Sequence, residues 1–461
     1  MANSHAPFAV RHLPFAIRHT RYAMNFSRAL RLTNHDVVAF IGAGGKTAAM
    51  FRLAGEIVES GGRVITTTTT RLGLDQLSLA PVHVTTFEEL QIALQTSPHV
   101  LLTGEINYVE RKVLGVSQSL ISNLQPLITN YYLLIEADGS KQLPFKAPAE
   151  HEPVIPDFVT HVVNIVGIDV IGKPLTGEYV HRPEIVARLA ETRVGTIINP
   201  ELIAKVLMHP QGGFKNVPSN ARVSVLINKV ENDDRLRAAR EIADQTLRVF
   251  KTLRVLIGAA NQNDPIREVW SRVTCAVLAA GESKRMGSPK QLLKWKDKTM
   301  LGHIVDVALE SEAGEVMVIV GAEAEKVKQV IPPRARTVFN ARYQAGQSES
   351  VKAAVAASTN SEAIVFLLTD QPNITPHIIN ALIQKWRETL APIVCARVNG
   401  KRANPVLFDR SVWHDLNQLT GDTGGRAIFD RHEIVYVDWD DSILGEADTP
   451  DEYRTLQESA L

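Results

Sequence analysis

Twice in this chain a short apolar run feeds directly into a glycine-rich turn that carries a lysine. Val37–Ile41 leads into Gly42-Ala-Gly44-Gly45-Lys46-Thr47, and Cys275–Ala279 leads into Ala280-Gly281-Glu-Ser-Lys-Arg285-Met-Gly287-Ser-Pro-Lys290. Glycine lets the backbone turn tightly and lets its N–H groups approach an anion, so a strand followed by such a turn reads as the entry to a phosphate-binding α/β unit. Around both turns, runs of strand length alternate with longer stretches of helical character, which predicts α/β architecture on mostly parallel sheets. The expected strands of the first half are Val37–Ile41, Arg63–Thr67, Val100–Leu102, Leu133–Glu136, His161–Val166, Val223–Ile227 and Arg254–Ile257. Those of the second half are Cys275–Ala279, Val316–Val320, Ile364–Leu368, Ile393–Ala396 and Ile434–Val437. The polar stretch Asn261–Asp264 with Pro265 behind it marks a boundary, with one domain expected over residues 25–265 and another over 272–461.

A chain of 461 residues has room for both. Lys plus Arg and Asp plus Glu each total 50, so no broad field favours nucleic acid or an anionic membrane, and phosphate binding has to be local. Cys275 and Cys395 both lie in apolar runs without a partner at metal-ligand spacing, which predicts inert buried thiols in a reducing compartment. No apolar stretch reaches the roughly 18 residues that a membrane span requires, so a cytoplasmic protein is expected, with no nucleic-acid or membrane partner. Ala6–His12 is nearly repeated by Leu13–His19, without an acid. Residues 1–24 are therefore set apart as an extension, transit-like or an overlong start with Met24 as the working initiator.

In the second half, Leu278-Ala279-Ala280-Gly281 opens the loop, Gly287 relaxes it, and Arg285 and Lys290 supply fixed positive charge for a triphosphate. Solvated surface charge does not require Gly, Arg, Gly and Lys at set intervals after an apolar strand. The segment resembles the LAAGxSxRMGxPK signature of the MocA-like molybdenum cofactor cytidylyltransferases, within the broader MobA-like nucleotidyltransferases. The resemblance continues through Asp370-Gln-Pro372, Asn404–Phe408, Gly421-Asp-Thr-Gly-Gly-Arg426 and Glu446-Ala-Asp448-Thr-Pro450, over roughly the last 190 residues. It implies a Rossmann-like (GT-A-like) nucleotidyltransferase domain that joins a nucleoside monophosphate to molybdopterin and releases pyrophosphate.

Asp370 ends an apolar strand, where α/β sheets place their ligands, and is expected to hold Mg2+ with Asp448 as second ligand. Asp448 could instead cap a helix, and Glu446, where the family has Asp, is not counted. The family's cytidylyl branch has Ala-Ala-Gly and Pro before Lys, so CTP is expected over GTP. Asn340–Ser350, with Gly346, Ser348 and Ser350, is a candidate for base and pterin contacts, or a polar loop capping a helix that starts after Ser350.

In the first half, Gly42, Gly44, Gly45, Lys46 and Thr47 form the working end of a P-loop: amides and Lys46 for phosphates, Thr47 for magnesium. Phe40 stands where GxxxxGK[ST] has its first glycine. Glu136-Ala-Asp138-Gly139, again at a strand end, offers Asp138 as an acid on the metal. Asn228-Lys229-Val-Glu231 has the order of a guanine-reading motif with Glu in place of Asp, or is a polar strand-end cluster. The half resembles the YqeC-type family, accessory to selenium-dependent molybdenum hydroxylases, through Gly42–Thr47, Thr67–Thr70, Ile135–Lys141, Lys146–Pro153 and His181-Arg-Pro183. This implies a P-loop-NTPase-like domain that uses ATP or GTP, with a molybdenum hydroxylase apoenzyme as partner and His151 and His181 as candidate substrate contacts. Two other readings stay open: a maturation protein that carries the finished cofactor without catalysis, and a nucleotidyltransferase with GTP or another phosphorylated acceptor.

Overall fold

A computed structural model describes residues 24–34 and 36–459, and the duplicated N-terminal segment lies outside them. The expected strands form and sort into two sheets. The first has nine strands: β1 Val37–Gly42, β2 Val64–Thr68, β3 Val82–Val84, β4 His99–Leu102, β5 Tyr132–Glu136, β6 His161–Gly167, β7 Arg222–Asn228, β8 Arg254–Gly258 and β9 Ile266–Trp270, in the order β9-β8-β7-β6-β1-β5-β2-β4-β3. All pairings are parallel except β8 with β9. Val37 to Ile41 are all buried, which suits β1 to a central position with both faces covered.

The second sheet has β10 Val273–Ala279, β11 Glu315–Val320, β12 Arg336–Phe339, β13 Ala363–Leu368, β14 Ile393–Val398, β15 Lys401–Asp409 and β16 Ile434–Trp439, in the order β12-β11-β10-β13-β15-β14-β16. The long β15 runs antiparallel to both neighbours. It is missing from the expected strands because Pro405 argues against an inner strand; the register shift at Cys395/Ala396 falls beside it on β14. Cys275 and Cys395 are free and buried, and burial pushes the Cys275 thiol up to about 12. Among the described residues no helix is long and apolar enough to cross a membrane.

The stretch after Pro265 is not a linker. Ile266–Trp270 forms edge strand β9, and only Ser271 and Arg272 separate it from β10. Glu268 breaks the apolar pattern there yet is buried, because Arg240, Trp270 and Gln384 all donate to its carboxylate.

The two sheets meet at the amino ends of their parallel strands. Arg254, first in β8, contacts Glu362, which precedes β13. Arg31 pairs with Glu362 at 2.8 Å and with Asp409, the residue paired with Ala363 at the start of β13. Arg28 donates to the Leu390 carbonyl at 3.1 Å, and the Arg387 guanidinium lies 3.6 Å from the Trp270 ring centroid. One apolar core crosses the junction, from Phe26, Leu30 and Met50 to Ile379, Trp386 and Leu390.

Glu362 thus neutralises Arg254, whose side chain is 9 % exposed. Glu362→Ala should lower unfolding stability by about 2 to 4 kcal/mol, a buried-pair cost discounted for the partial exposure of Glu362. Urea unfolding followed by circular dichroism checks this; a change below about 0.5 kcal/mol would show that the junction does not depend on the pair.

Candidate functional site

Each sheet carries one glycine-rich loop at the carboxyl end of an inner parallel strand, β1 in the first and β10 in the second, where open α/β sheets gather ligands. In the second sheet the loop after β10 is tied down by residues that carry no motif. Gln291, 2 % exposed, donates through Nε2 to the carbonyls of Ala279 (3.1 Å) and Gly281 (2.9 Å). Ser283 Oγ accepts from Lys290 N at 3.1 Å, and Thr369 Oγ1 donates to the Leu278 carbonyl at 2.9 Å. The segment is folded back so that Lys290 returns to the strand end. A Cβ on Gly281 would meet nothing within 4 Å, so packing does not demand glycine there; Gly281 and Gly287 leave exposed backbone.

Lys290 Nζ contacts Asp370 Oδ2 and lies 3.0 Å from Asp448 Oδ1. Arg285, 78 % exposed, stands 3.3 Å from the other oxygen of Asp448. Asp370 Oδ1 is buried without a hydrogen-bond partner among the described residues. Capping does not occupy Asp448: Thr449 Oγ1 accepts from Glu452 N while Glu452 reaches back to the amides of Asp448 and Thr449, a reciprocal box at the start of the helix Pro450–Ser459. Glu446 accepts from Gln371 and stays out of the cluster.

Burial works against the charged form of Lys290, but Asp370 and Asp448 outweigh it and hold the ammonium above the usual lysine range. The hydrogen bond from Lys290, with Arg285 behind it, holds Asp448 below the usual carboxylate range. The raised lysine loses its contribution as pH climbs past its folded pKa, and the lowered aspartate as pH falls through its own.

The candidate stretch 340–350 is not a loop up to Ser350, because a helix runs Gln347–Ala357. Its first amides donate to Gly421 O (Ser348 N, 3.2 Å) and Asp422 Oδ1 (Gln347 N, 3.3 Å), so Gly421–Arg426 caps it. Gly346, at φ +109°, could carry no side chain: a Cβ would come 2.3 Å from the Gly421 carbonyl. Ser350 accepts from Asn340 at 3.1 Å, whereas Ser348 Oγ is buried without a partner among the described residues.

In the first sheet, the turn after β1 is locked by its neighbours. A Cβ on Gly44 would approach Gly167 N to 2.3 Å, and one on Gly45 would approach Asn228 Nδ2 to 2.4 Å. Lys46 is 3 % exposed, donates to Gly42 O at 2.8 Å, and lies 3.4 Å from Asp138 and 3.7 Å from Glu136. Thr47 Oγ1 donates to Glu136 Oε2 at 2.8 Å, so Glu136 rather than Asp138 holds the threonine. Burial, against the pull of Lys46, raises the Glu136 pKa. Asp138 Oδ2 accepts from Gly42 N (3.0 Å) and pairs with Lys146 (2.9 Å), while its Oδ1 has no hydrogen-bond partner among the described residues.

Glu152 brings Lys146–Pro153 and His181–Pro183 together: it pairs with Lys146 at 2.9 Å and with Arg182 at 2.6 Å. Burial opposes its charge, yet Arg182 and Lys146 hold the carboxyl down at about 2. His151 is exposed, and burial with Arg182 beside it lowers His181 to about 4. Asn228 donates to Gly44 O and accepts from Ala260 N, and Glu231 pairs with Arg235, so this cluster buttresses the loop. Lys46, Glu136 and Lys290 stand within quoted motifs; Gln291 and Thr369 give no local signal, because their task is to bond backbone carbonyls.

Gln291→Leu should therefore lower stability by about 1 to 3 kcal/mol, the cost of two unpaired carbonyls, and speed amide exchange over residues 280–284. Hydrogen exchange read by mass spectrometry checks this; unchanged protection of the loop would remove Gln291 from its support.

Comparison with known proteins follows the same division. The YqeC protein family matches residues 38–184, and the MobA-like NTP transferase domain matches residues 275–435. YqeC of Escherichia coli is 33 % identical over 206 residues, 45 % of this chain and 80 % of that protein. The purine catabolism protein PucB of Bacillus subtilis is 29 % identical over 194 residues, 39 % of this chain and 93 % of that protein. A solved Rv0371c homologue from Mycobacterium sp. strain JC1 shares 33 % identity, covering 41 % of this chain and 96 % of its own, at a TM-score of 0.38. The chain belongs to the YqeC family through its N-terminal part, and that part is joined to a C-terminal MobA-like nucleotidyltransferase domain.

Proposed function

We propose that residues 272–461 form a CTP:molybdopterin cytidylyltransferase and that residues 25–265 form a nucleotide-binding maturation domain beside it. The observation that carries this reading is the meeting of Lys290 with Asp370 and Asp448 at the carboxyl end of the central strands, with one buried oxygen of Asp370 open. Two carboxylates with free lone pairs suit a hard divalent cation, which takes oxygen ligands and completes its shell with phosphate. When bound, Mg2+ would supply charge neutralisation at the phosphates. The chain's own residues do the rest. The loop that opens with Leu278–Gly281 receives the triphosphate on the exposed backbone of Gly281 and Gly287, and Arg285 and Lys290 take up the charge that grows on the departing pyrophosphate. A phosphate oxygen of molybdopterin attacks the α-phosphorus of CTP, the α–β anhydride bond breaks, and pyrophosphate leaves. The attacking oxygen is already an anion, so no base is required.

The ordered motifs that resemble the cytidylyl branch support molybdopterin as acceptor and CTP over GTP. Ser348 Oγ, buried and open, is the group we assign to the base or pterin. In the first half, we assign ATP or GTP phosphates to Gly42–Thr47 and a second Mg2+ to Thr47 and Asp138, with Glu136 holding the threonine. A molybdenum hydroxylase apoenzyme is the partner that would receive the product, in the cytoplasm. Strands of six and seven residues lie between each loop and the junction, roughly 20 Å on either side, so the two sites work apart.

Incubation with Mg2+, molybdopterin and CTP or GTP, with mass spectrometry of the products, tests the reaction: the cytidine dinucleotide is expected. A folded protein that makes no dinucleotide with either nucleotide would leave the cofactor-carrier reading in its place. Asp370→Asn should abolish turnover with an unchanged circular dichroism spectrum. Lys290→Ala should lower kcat by about a hundredfold or more. Because Lys290 competes for the carboxylates, Lys290→Met should bind Mn2+ more tightly in the absence of nucleotide, as read by electron paramagnetic resonance. A kcat within about twofold of the parent would reject the role of the lysine.

In the first half, Lys46→Ala should abolish calorimetrically measured nucleotide binding by the N-terminal site while dinucleotide synthesis continues. Loss of synthesis in a folded Lys46→Ala protein would contradict the separation of the sites.

A further inference from the structure

At the junction, a cavity of about 520 Å³ lies between the amino ends of β6, β7 and β8 and the residue preceding β13. It is at the opposite end of the strands from both glycine-rich loops, so nucleotide binding does not account for it. Its charged wall holds Arg31, Arg222 and Arg254 against Glu362. Asp36 pairs with Arg222 at 2.8 Å and Asp409 pairs with Arg31, while Arg410 stands 3.8 Å from Glu362. Four guanidinium groups therefore surround three carboxylates. Arg222 is 46 % exposed and Arg31 is 27 % exposed, so both can turn donors toward an incoming anion.

Two further observations narrow the ligand. Phe214 and Phe250 both line the cavity and stack with ring centroids 4.2 Å apart at 14°, an aromatic wall beside the cationic one. His161, 1 % exposed, also lines it: Nε2 lies 2.8 Å from Ser224 Oγ, and Nδ1 has no hydrogen-bond partner among the described residues. Burial, with Arg222 adding to it, lowers His161 to about 3, so the ring is neutral and has one hydrogen bond left to make. Buried polar atoms in folded proteins are nearly always paired, which makes this one a mark of something the cavity receives.

We propose that the cavity binds a small aromatic phosphate ester, with its phosphate on Arg222 and Arg31 and its ring against Phe214 and Phe250. Phosphate suits the wall better than a carboxylate, because its three terminal oxygens can meet several guanidinium forks at once. The ligand would touch Arg222 and Phe214 of the YqeC-like part near Glu362 of the transferase part, and so brace the junction.

Phenyl phosphate is the probe. Calorimetric titration of the full chain carrying both Lys46→Ala and Lys290→Ala, which weakens the two glycine-rich loops, should still give saturable binding at one site. Arg222→Gln and, separately, Phe214→Ala should each weaken it by about tenfold or more, and inorganic phosphate should bind about tenfold more weakly than the ester. Arg222 is at the surface, so its variant keeps the test interpretable if Phe214→Ala unfolds. Three results would each overturn the proposal: no saturation below about 5 mM, binding that disappears with the two lysines, or binding that is indifferent to Arg222→Gln.

Discussion

Two residues, Ser271 and Arg272, are all that separates β9, the last strand of the first sheet, from β10, an inner strand of the second. So short a connection leaves no freedom to arrange two independent bodies. β9 runs antiparallel to its neighbour and delivers the chain to the amino end of the sheet, where β10 begins. The second sheet must start there, and its parallel strands carry their loops away from the junction. Ion pairs among Arg31, Arg254, Glu362 and Asp409 occupy the interface that this creates, and the apolar core from Phe26 to Trp386 closes over it. The placement of both glycine-rich loops at far poles follows from that connection.

At each pole the same arrangement recurs on an unrelated sequence. A lysine from the loop lies beside two acids: Lys46 with Glu136 and Asp138 at the end of β5, and Lys290 with Asp370 after β13 and Asp448 ahead of the last helix. Parallel strands end side by side, so Glu136 at the end of β5 and Asp370 after β13 come within reach of the lysine that follows the adjacent β1 or β10; Asp448 is brought in from the turn before the last helix. The two cases differ in burial. Lys46 is nearly inaccessible, whereas the Lys290 side chain is 23 % exposed and backed by the exposed Arg285. Separating the lysine from its carboxylates therefore costs less at the second pole.

Much of this was legible in the sequence, because strand cores and loop glycines are set by local chemistry. Val37–Ile41 and Cys275–Ala279 are apolar on both faces, and that alone marks central strands. What escaped depended on partners distant in the chain. β9 hides behind Glu268, whose burial is repaid by Arg240, Trp270 and Gln384. β15 hides behind Pro405. The helix at Gln347 begins four residues ahead of its expected start because its cap, Asp422, comes from 75 residues away.

The candidate residues divide along the same line. Asp448 could be read equally as a ligand or as a helix cap, and the structure gives the cap to Thr449 and Glu452 while Asp448 faces Lys290. His151 and His181 stand out in sequence because histidine titrates near neutrality. In the fold His151 is exposed, and burial, with Arg182 beside it, lowers the pKa of His181; the residue that gathers Lys146 and Arg182 is Glu152. Lys146 in turn holds one oxygen of Asp138 and leaves the other to face Lys46 at 3.4 Å. The Lys146–Pro153 and His181–Pro183 motifs are therefore tied to the loop at Gly42 through a chain of charges running Arg182, Glu152, Lys146, Asp138. Each link is short enough that removing any one of them would change the charge facing Lys46.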